Sequence, residues 1–211
     1  GRHLRRKLNC IKSDYDTEFL TRSDFKSMSS LVKKISPNDI IFHLAGVNRD
    51  INEEEVFNKN NEINQMLSSA LEEVKFRGKL LFTSSTQEES DTLYGKAKKD
   101  ARLNFIQQSN SLKYLFYGIV TPNIFGPFCK PNYNSFIATF SFFIINGETT
   151  KVDNDKTVPL IFIGDFIDTI IKILDNHNTI EINNKHISNY KVSDILIKLN
   201  NFHDVYIQKG Q

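Results

Sequence analysis

The chain has 211 residues, of which 39% are hydrophobic and 25% charged, enough apolar material for a sizeable core and a mix unlike that of disordered or fibrous chains. Its net charge is only +2, with Lys and Arg scattered among acids, so it offers neither a nucleic-acid stripe nor a face for anionic membranes. The most apolar run, 136–145, is half the ~20 residues that a bilayer crossing takes. The basic opening has no apolar stretch behind it to make a signal peptide. These features and two distant cysteines, Cys10 and Cys129, lead us to expect a soluble cytoplasmic protein with reduced thiols.

In chain order, Gly1 precedes a helical pattern, although an α/β fold normally begins with a strand and a glycine-rich turn. The run 39–44 reads as a strand ended by Ala45-Gly46. Residues 53–75 then read as a long helix, with Val56, Ile63, Met66, Leu67, Ala70, Leu71 and Val74 at helical spacing. A strand over 79–83, a helix over 93–108 and a strand over 113–120 follow. This β-α-β-α-β order requires right-handed crossovers and predicts a Rossmann-like, doubly wound parallel sheet. Past Pro122 the pattern loosens into a helix over 133–146 and a strand over 157–163. Asp165 is placed to cap a helix reaching 174, and a last helix over 192–199 follows Ser188 and Asn189. The expected division is a dinucleotide-binding part, 1–121, interleaved with a small substrate-binding lobe, 122–211.

The chemistry concentrates in Thr83-Ser84-Ser85-Thr86-Gln87 at a strand end and Tyr94-Gly95-Lys96-Ala97-Lys98 at a helix start. Tyr94 and Lys98 are four apart, so on a helix they share a face. A lysine ammonium beside a phenol favours the phenolate, lowering a reference pKa of about 10. A strand-end hydroxyl, Ser85 for preference, can bond the same substrate oxygen. Together they would protonate a carbonyl oxygen as hydride reaches its carbon, or run the reverse. A Tyr-x-x-x-Lys spacing alone is weak, since a solvated helix face yields it by chance. The preceding Ser/Thr strand end inside an α/β alternation makes it strong.

With these residues the sequence resembles the extended short-chain dehydrogenase/reductase family (NAD-dependent epimerases and dehydratases) along nearly its whole length. Gly1-Arg2-His3-Leu4 looks like the end of the family's glycine loop, so the resemblance implies that the first strand and most of that loop are missing from this chain. Phe42-His43-Leu44-Ala45-Gly46 looks like the strand and turn beneath the cofactor. Asn60 matches the asparagine of the following helix, and Ser85, Tyr94 and Lys98 match the catalytic trio. Pro122-Asn123-Ile124-Phe125-Gly126 matches the segment near nicotinamide and substrate. A narrower resemblance, to capsular-polysaccharide reductases of the CapF/WbjC type, is carried by Ala45-Gly46-Val47-Asn48-Arg49 and by the stretch from Pro122 through Lys130, Asn132, Asn134 and Ser135.

That resemblance implies NADPH-dependent reduction of a UDP-2-acetamido-2,6-dideoxy 4-keto sugar for a surface polysaccharide, with NADH or tightly bound NAD as other cofactors. Its implied cofactor contacts are Gly1, Arg22, Leu44, Ala45, Gly46, Asn60, Thr83, Tyr94, Lys98, Pro122 and Asn123. Its implied substrate contacts are Asn48, Arg49, Gln87, Asn123, Lys130, Asn132, Asn134 and Ser135. Where the family carries an arginine just ahead of the Pro-Asn pair, this chain has Val120. The zinc-binding cupin domain that such reductases often carry is not in this sequence, so no metal is expected. A homodimer through the 93–108 helix and its long neighbour is implied by the same likeness.

Arg22 can meet an adenosine 2′-phosphate or be a loop arginine, with equal weight. Arg49 sits at a strand's C-terminal edge, where this fold binds ligands, and can hold a diphosphate. His43, on a strand among apolar residues, reads as a core histidine. His177, His186 and His203 are scattered, without partners at metal-ligand spacing. Two alternatives stay open: a sugar-nucleotide epimerase or dehydratase using bound NAD, and a catalytically inactive dinucleotide-binding fragment.

Overall fold

A computed structural model describes residues 1–11, 15–48, 50–175 and 187–210. Arg49, His177 and His186 lie outside the described residues. The chain forms two compact units: Gly1–Thr121 with Ile167–Glu181, and Pro122–Phe166 with Ile182–Gln211.

The first unit opens with helix α1 (Arg2–Cys10) and a short helix α2 (Met28–Val32), then alternates strand and helix. Strand β1 (Ile40–His43) leads to helix α3 (Glu53–Glu73), β2 (Lys79–Ser85), a 3₁₀ turn (Thr86–Glu89), α4 (Leu93–Leu112) and β3 (Leu115–Thr121). The three strands pair in parallel in the order β1-β2-β3, with Phe82 opposite both His43 and Gly118. Long crossover helices make this pairing possible, since parallel neighbours cannot be joined by a hairpin. The Asn52 side chain caps α3 by accepting from Glu55 N at 2.8 Å, and Glu53, Glu54 and Glu55 complement the positive end of the helix. Thr92 caps α4 in the same way through Gly95 N.

The core of this unit lies where α2, α3 and α4 meet the central strand. Leu31, Leu67, Ala70, Leu71, Leu80, Phe82 and Phe105 are buried together. Leu81 is buried as well, so β2 is covered on both faces and reads as a continuous apolar run, as a central parallel strand must. Helix α4 runs to Leu112, beyond the expected 108, and stops where Lys113 adopts φ 64°, a left-handed conformation that closes the helix.

The second unit builds a separate three-stranded sheet from β4 (Asn123–Phe125), β5 (Thr157–Phe162) and β6 (Ile187–Lys191). β4 and β5 are parallel, β5 and β6 antiparallel. Helix α5 (Phe136–Ile145) is capped by Ser135, and α7 (Val192–Phe202) packs against the same core through Val192 and Ile195 beside Phe140, Val158 and Leu160. Helix α6 (Ile163–Ile170) begins two residues before Asp165, so Asp165 stands in its first turn rather than at its cap. There its charge still favours the helix start. Strand β6 takes Ser188 and Asn189, which the sequence reading placed ahead of the last helix. No helix among the described residues is long and apolar enough to cross a membrane.

Candidate active site

The candidate chemistry gathers at the carboxyl ends of β1 and β2, the edge where open α/β sheets bind ligands. Lys98, on α4, is only 4% exposed. Its Nζ donates to the carbonyl of Thr83 at 3.0 Å and lies 4.8 Å from the centre of the Phe82 ring and 6.0 Å from that of Tyr94. Burial pulls the ammonium down to about 8.

Tyr94 is half-buried, and burial raises its phenol above the ordinary value. The sequence reading expected Lys98 to lower it. In this geometry loss of solvent is the larger effect, and the phenol stays protonated at neutral pH.

The turn after β1 is built around Lys98 and Asn60. A Cβ at Gly46 would stand 3.1 Å from Lys98 Nζ and 3.2 Å from Asn60 Oδ1, so the bare glycine leaves the turn close to both polar groups. Asn60, 1% exposed on α3, accepts from Val47 N at 3.1 Å and donates to the carbonyls of Val47 and Val56, each at 2.7 Å. Its amide therefore pins the segment that contains Leu44, Ala45, Gly46 and Asn48. Leu44 there is half-buried, while Ala45, Gly46 and Asn48 are exposed. Beneath them His43 is a core histidine, bonded through Nε2 to Asn64 Oδ1 at 2.8 Å and packed against the Phe82 and Phe105 rings.

Ser85, half-buried at the end of β2, accepts from Gln87 N at 3.2 Å and so starts the 3₁₀ turn. That turn is pressed onto the first turn of α4. A Cβ at Gly95 would fall 1.9 Å from the Gln87 carbonyl oxygen, an approach that only glycine allows. Thus the residue beside Tyr94 sets how near the Ser85 segment comes to the Tyr94 helix. Arg22 and Gly1 are exposed in the same unit.

The other predicted contacts belong to the second unit. Pro122 is buried, and Asn123 Nδ2 donates to the Pro159 carbonyl at 3.2 Å. Lys130, Asn132 and Asn134 are exposed, Asn132 at φ 53° with its N–H donated to Thr139 Oγ1. Ser135 spends its hydroxyl on the α5 cap, accepting from Ala138 N at 3.3 Å. This loop and α5 border an open cleft of about 390 Å³ lined by Phe125, Phe128, Cys129, Pro131, Ser141 and Phe142 among others.

Sequence reasoning missed the ion pair of Glu88 with Arg102 and the buried His43–Asn64 bond. Glu88 stands in the polar run 88–91, which looks like a solvated loop. The only available signal was Arg102 falling one helical turn past Lys98. Among the described residues no group of three His, Cys, Asp or Glu is placed to hold a metal ion.

Comparison with known proteins now bears on this arrangement. No family model matches the chain. The chain is 35% identical over 150 residues to a UDP-2-acetamido-2,6-beta-L-arabino-hexul-4-ose reductase of Pseudomonas aeruginosa, a match covering 71% of this chain and 40% of that protein. It belongs to the extended short-chain dehydrogenase/reductase family. Solved members of the family share its fold. The capsular polysaccharide assembling protein CapF of Staphylococcus aureus superposes with a TM-score of 0.78 at 22% identity, over 99% of this chain and 56% of that one. The dTDP-glucose 4,6-dehydratase DesIV of Streptomyces venezuelae, solved with NAD and TYD bound, gives 0.74 at 16% identity, over 93% and 67%. The chain thus spans less than half of the curated relative's length and just over half of CapF.

Proposed function

We propose that the chain carries the catalytic body of an NADPH-dependent reductase acting on a nucleotide-linked 4-keto sugar, of the UDP-2-acetamido-2,6-dideoxy class, in surface polysaccharide synthesis in the cytoplasm. The observation that carries this reading is the buried Lys98 ammonium, seated on the Thr83 carbonyl, on the same helix face as a Tyr94 phenol that burial keeps protonated. The identity to a named 4-keto-sugar reductase supports the substrate class.

The β1 turn suits a dinucleotide. Gly46 has no side chain to block approach, and Asn60 holds the backbone still. Leu44, Ala45, Gly46, Asn60, Thr83 and Lys98 would hold it, with Gly1 and Arg22 toward its phosphates. When bound, the reduced nicotinamide supplies the hydride that goes to the sugar carbonyl carbon.

Tyr94 gives its phenolic proton to the ketone oxygen, so the product is the alcohol. Ser85 donates to that oxygen and Lys98 stabilises the phenolate left behind. Asn48 and Gln87, exposed at the strand ends of the first unit, would contact the sugar nucleotide. Dimerisation through α3 and α4 is supported by the exposed Leu103 and Ile106 on α4.

The fold shared with DesIV and its bound NAD favours one rival, an epimerase or dehydratase that returns hydride to the same sugar. Against a dehydratase, the acid nearest Ser85 in sequence, Glu88, is engaged by Arg102. The test is the near-ultraviolet absorbance of NADPH mixed with protein and a UDP-linked 4-keto-6-deoxy sugar. Stoichiometric oxidation is expected, falling about 10²–10⁴-fold in Tyr94→Phe. Sugar conversion without net oxidation would favour the epimerase or dehydratase, and near-normal turnover in the variant would remove Tyr94 as the proton donor.

A further inference from the structure

Helix α4 buries Lys98, Ala101 and Phe105 at helical spacing, so a lysine heads an otherwise apolar stripe. Ala101 and Phe105 pack in one core with Leu80 and Phe82, which lie two apart on one face of β2 and are fully buried. Lys98 therefore carries its charge into an apolar layer.

A buried ammonium is costly and ordinarily takes a carboxylate as partner. Among the described residues no carboxylate forms an ion pair with Lys98. Its Nζ donates instead to the Thr83 carbonyl at 3.0 Å and stands over the Phe82 ring, 4.8 Å from its centre. The face of an aromatic ring carries partial negative charge and attracts a cation within about 6 Å, most strongly where water is excluded. The Tyr94 ring, at 6.0 Å, lies at that limit. The two nearer partners are consecutive residues of β2.

The other groups around Lys98 supply less. His43 of β1 is held neutral by burial, and Asn60 of α3 and Ser84 of β2 are uncharged. Glu88 of the 3₁₀ turn favours the ammonium, but Arg102 Nε and Nη2 bond its carboxylate and meet its charge. On the same helix as Lys98, Tyr94 keeps its phenolic proton and Arg102 is itself a cation.

We propose that Phe82 is a positioning residue of this site: the face of its ring, together with the Thr83 carbonyl, forms a cradle on β2 that holds the Lys98 ammonium charged and in place without a paired carboxylate. The role in turnover rests on the reductase reading above, whereas the link between Phe82 and Lys98 does not.

The test replaces Phe82 by para-fluoro-, difluoro- and trifluorophenylalanine, which withdraw negative charge from the ring face step by step and keep its shape. The same series at Phe105 is the control. That ring is also fully buried, 5.5 Å from Phe82, and among the described residues no cation stands over it. Lys98 is followed by NMR of protein labelled with ¹³Cε-lysine, its signal assigned with Lys98→Arg, alongside turnover against pH.

Each added fluorine at Phe82 is expected to move the Lys98 titration to lower pH, by about one unit in the trifluoro protein. The alkaline limb of kcat moves with it while KM changes less. The para-fluoro ring is close in size to the native one and carries the test should the bulkier rings prevent folding. A Lys98 titration that stays put across the Phe82 series, or moves equally in the Phe105 series, overturns the proposal. A titration that moves at Phe82 alone, in a protein that never oxidises NADPH, upholds the Phe82–Lys98 cradle and sinks the reductase reading instead.

Discussion

Polar side chains buried without water must find partners inside the protein, and at this site each that matters has done so. Asn60 makes three bonds, Lys98 sits on a carbonyl, and His43 bonds Asn64. His43 also carries a consequence for pH. Burial lowers its pKa from 6.5 to about 4, so the folded state resists a proton that the unfolded chain accepts. The unfolded state binds more protons between those two values, and stability therefore falls as pH drops through that window. The full loss is about 3 kcal/mol. Urea unfolding at about pH 7 and about pH 5 should show the wild type losing more stability than His43→Asn, which has no titrating ring. Equal losses in both proteins would place the acid sensitivity elsewhere.

At the scale of elements, the close seat of the 3₁₀ turn on α4 decides where the Ser85 segment stands relative to the Tyr94 helix. Gly95→Ala would set a methyl group 1.9 Å from the Gln87 oxygen, so one of the two segments must move. The expected result is a loss of roughly 1–3 kcal/mol of stability, as for other overpacked sites. Turnover should drop by at least about tenfold, since displacements of ~1 Å at a reacting group cost that much or more. Asn52→Ala is the control. It removes the α3 cap and costs about 1 kcal/mol, yet leaves turnover at saturating substrate unchanged because α3 bonds the site through Asn60, two turns further on. If both variants lost turnover in step with stability, the turn–helix contact would have no special place in the site.

For the whole molecule, the chain path matters more than the nominal halves. The first unit takes back residues 167–175 after the chain has built most of the second. Those residues are anchored by Lys7 to Asp168 at 2.7 Å and by Lys79 Nζ to the Ile173 carbonyl at 2.7 Å, and Ile170 and Ile173 are fully buried. A fragment ending at Thr121 therefore exposes apolar surface that the intact chain covers. It should lack a cooperative thermal transition and bind a hydrophobic dye, while a fragment to which 163–175 is appended by a flexible linker regains one. Cooperative melting of the shorter fragment would show that the returning segment is dispensable.

The sequence by itself determined the β1-α3-β2-α4-β3 order of the first unit, because amphipathic crossover helices and short apolar strand runs leave patterns that survive in a linear reading, whereas the short helix α2 went unread. It also put forward the Ser85, Tyr94 and Lys98 group as a proposal, whose spacing is a helix turn preceded by a strand end. Several features were decided only by tertiary structure: the ion pair of Glu88 with Arg102, the Asn60 brace on the β1 turn, the rise rather than fall of the Tyr94 pKa, and the return of 167–175 to the first unit. Each depends on which groups lose water and which distant segments touch. Burial and long-range contact are properties of the packed chain, and no local pattern of residues encodes them.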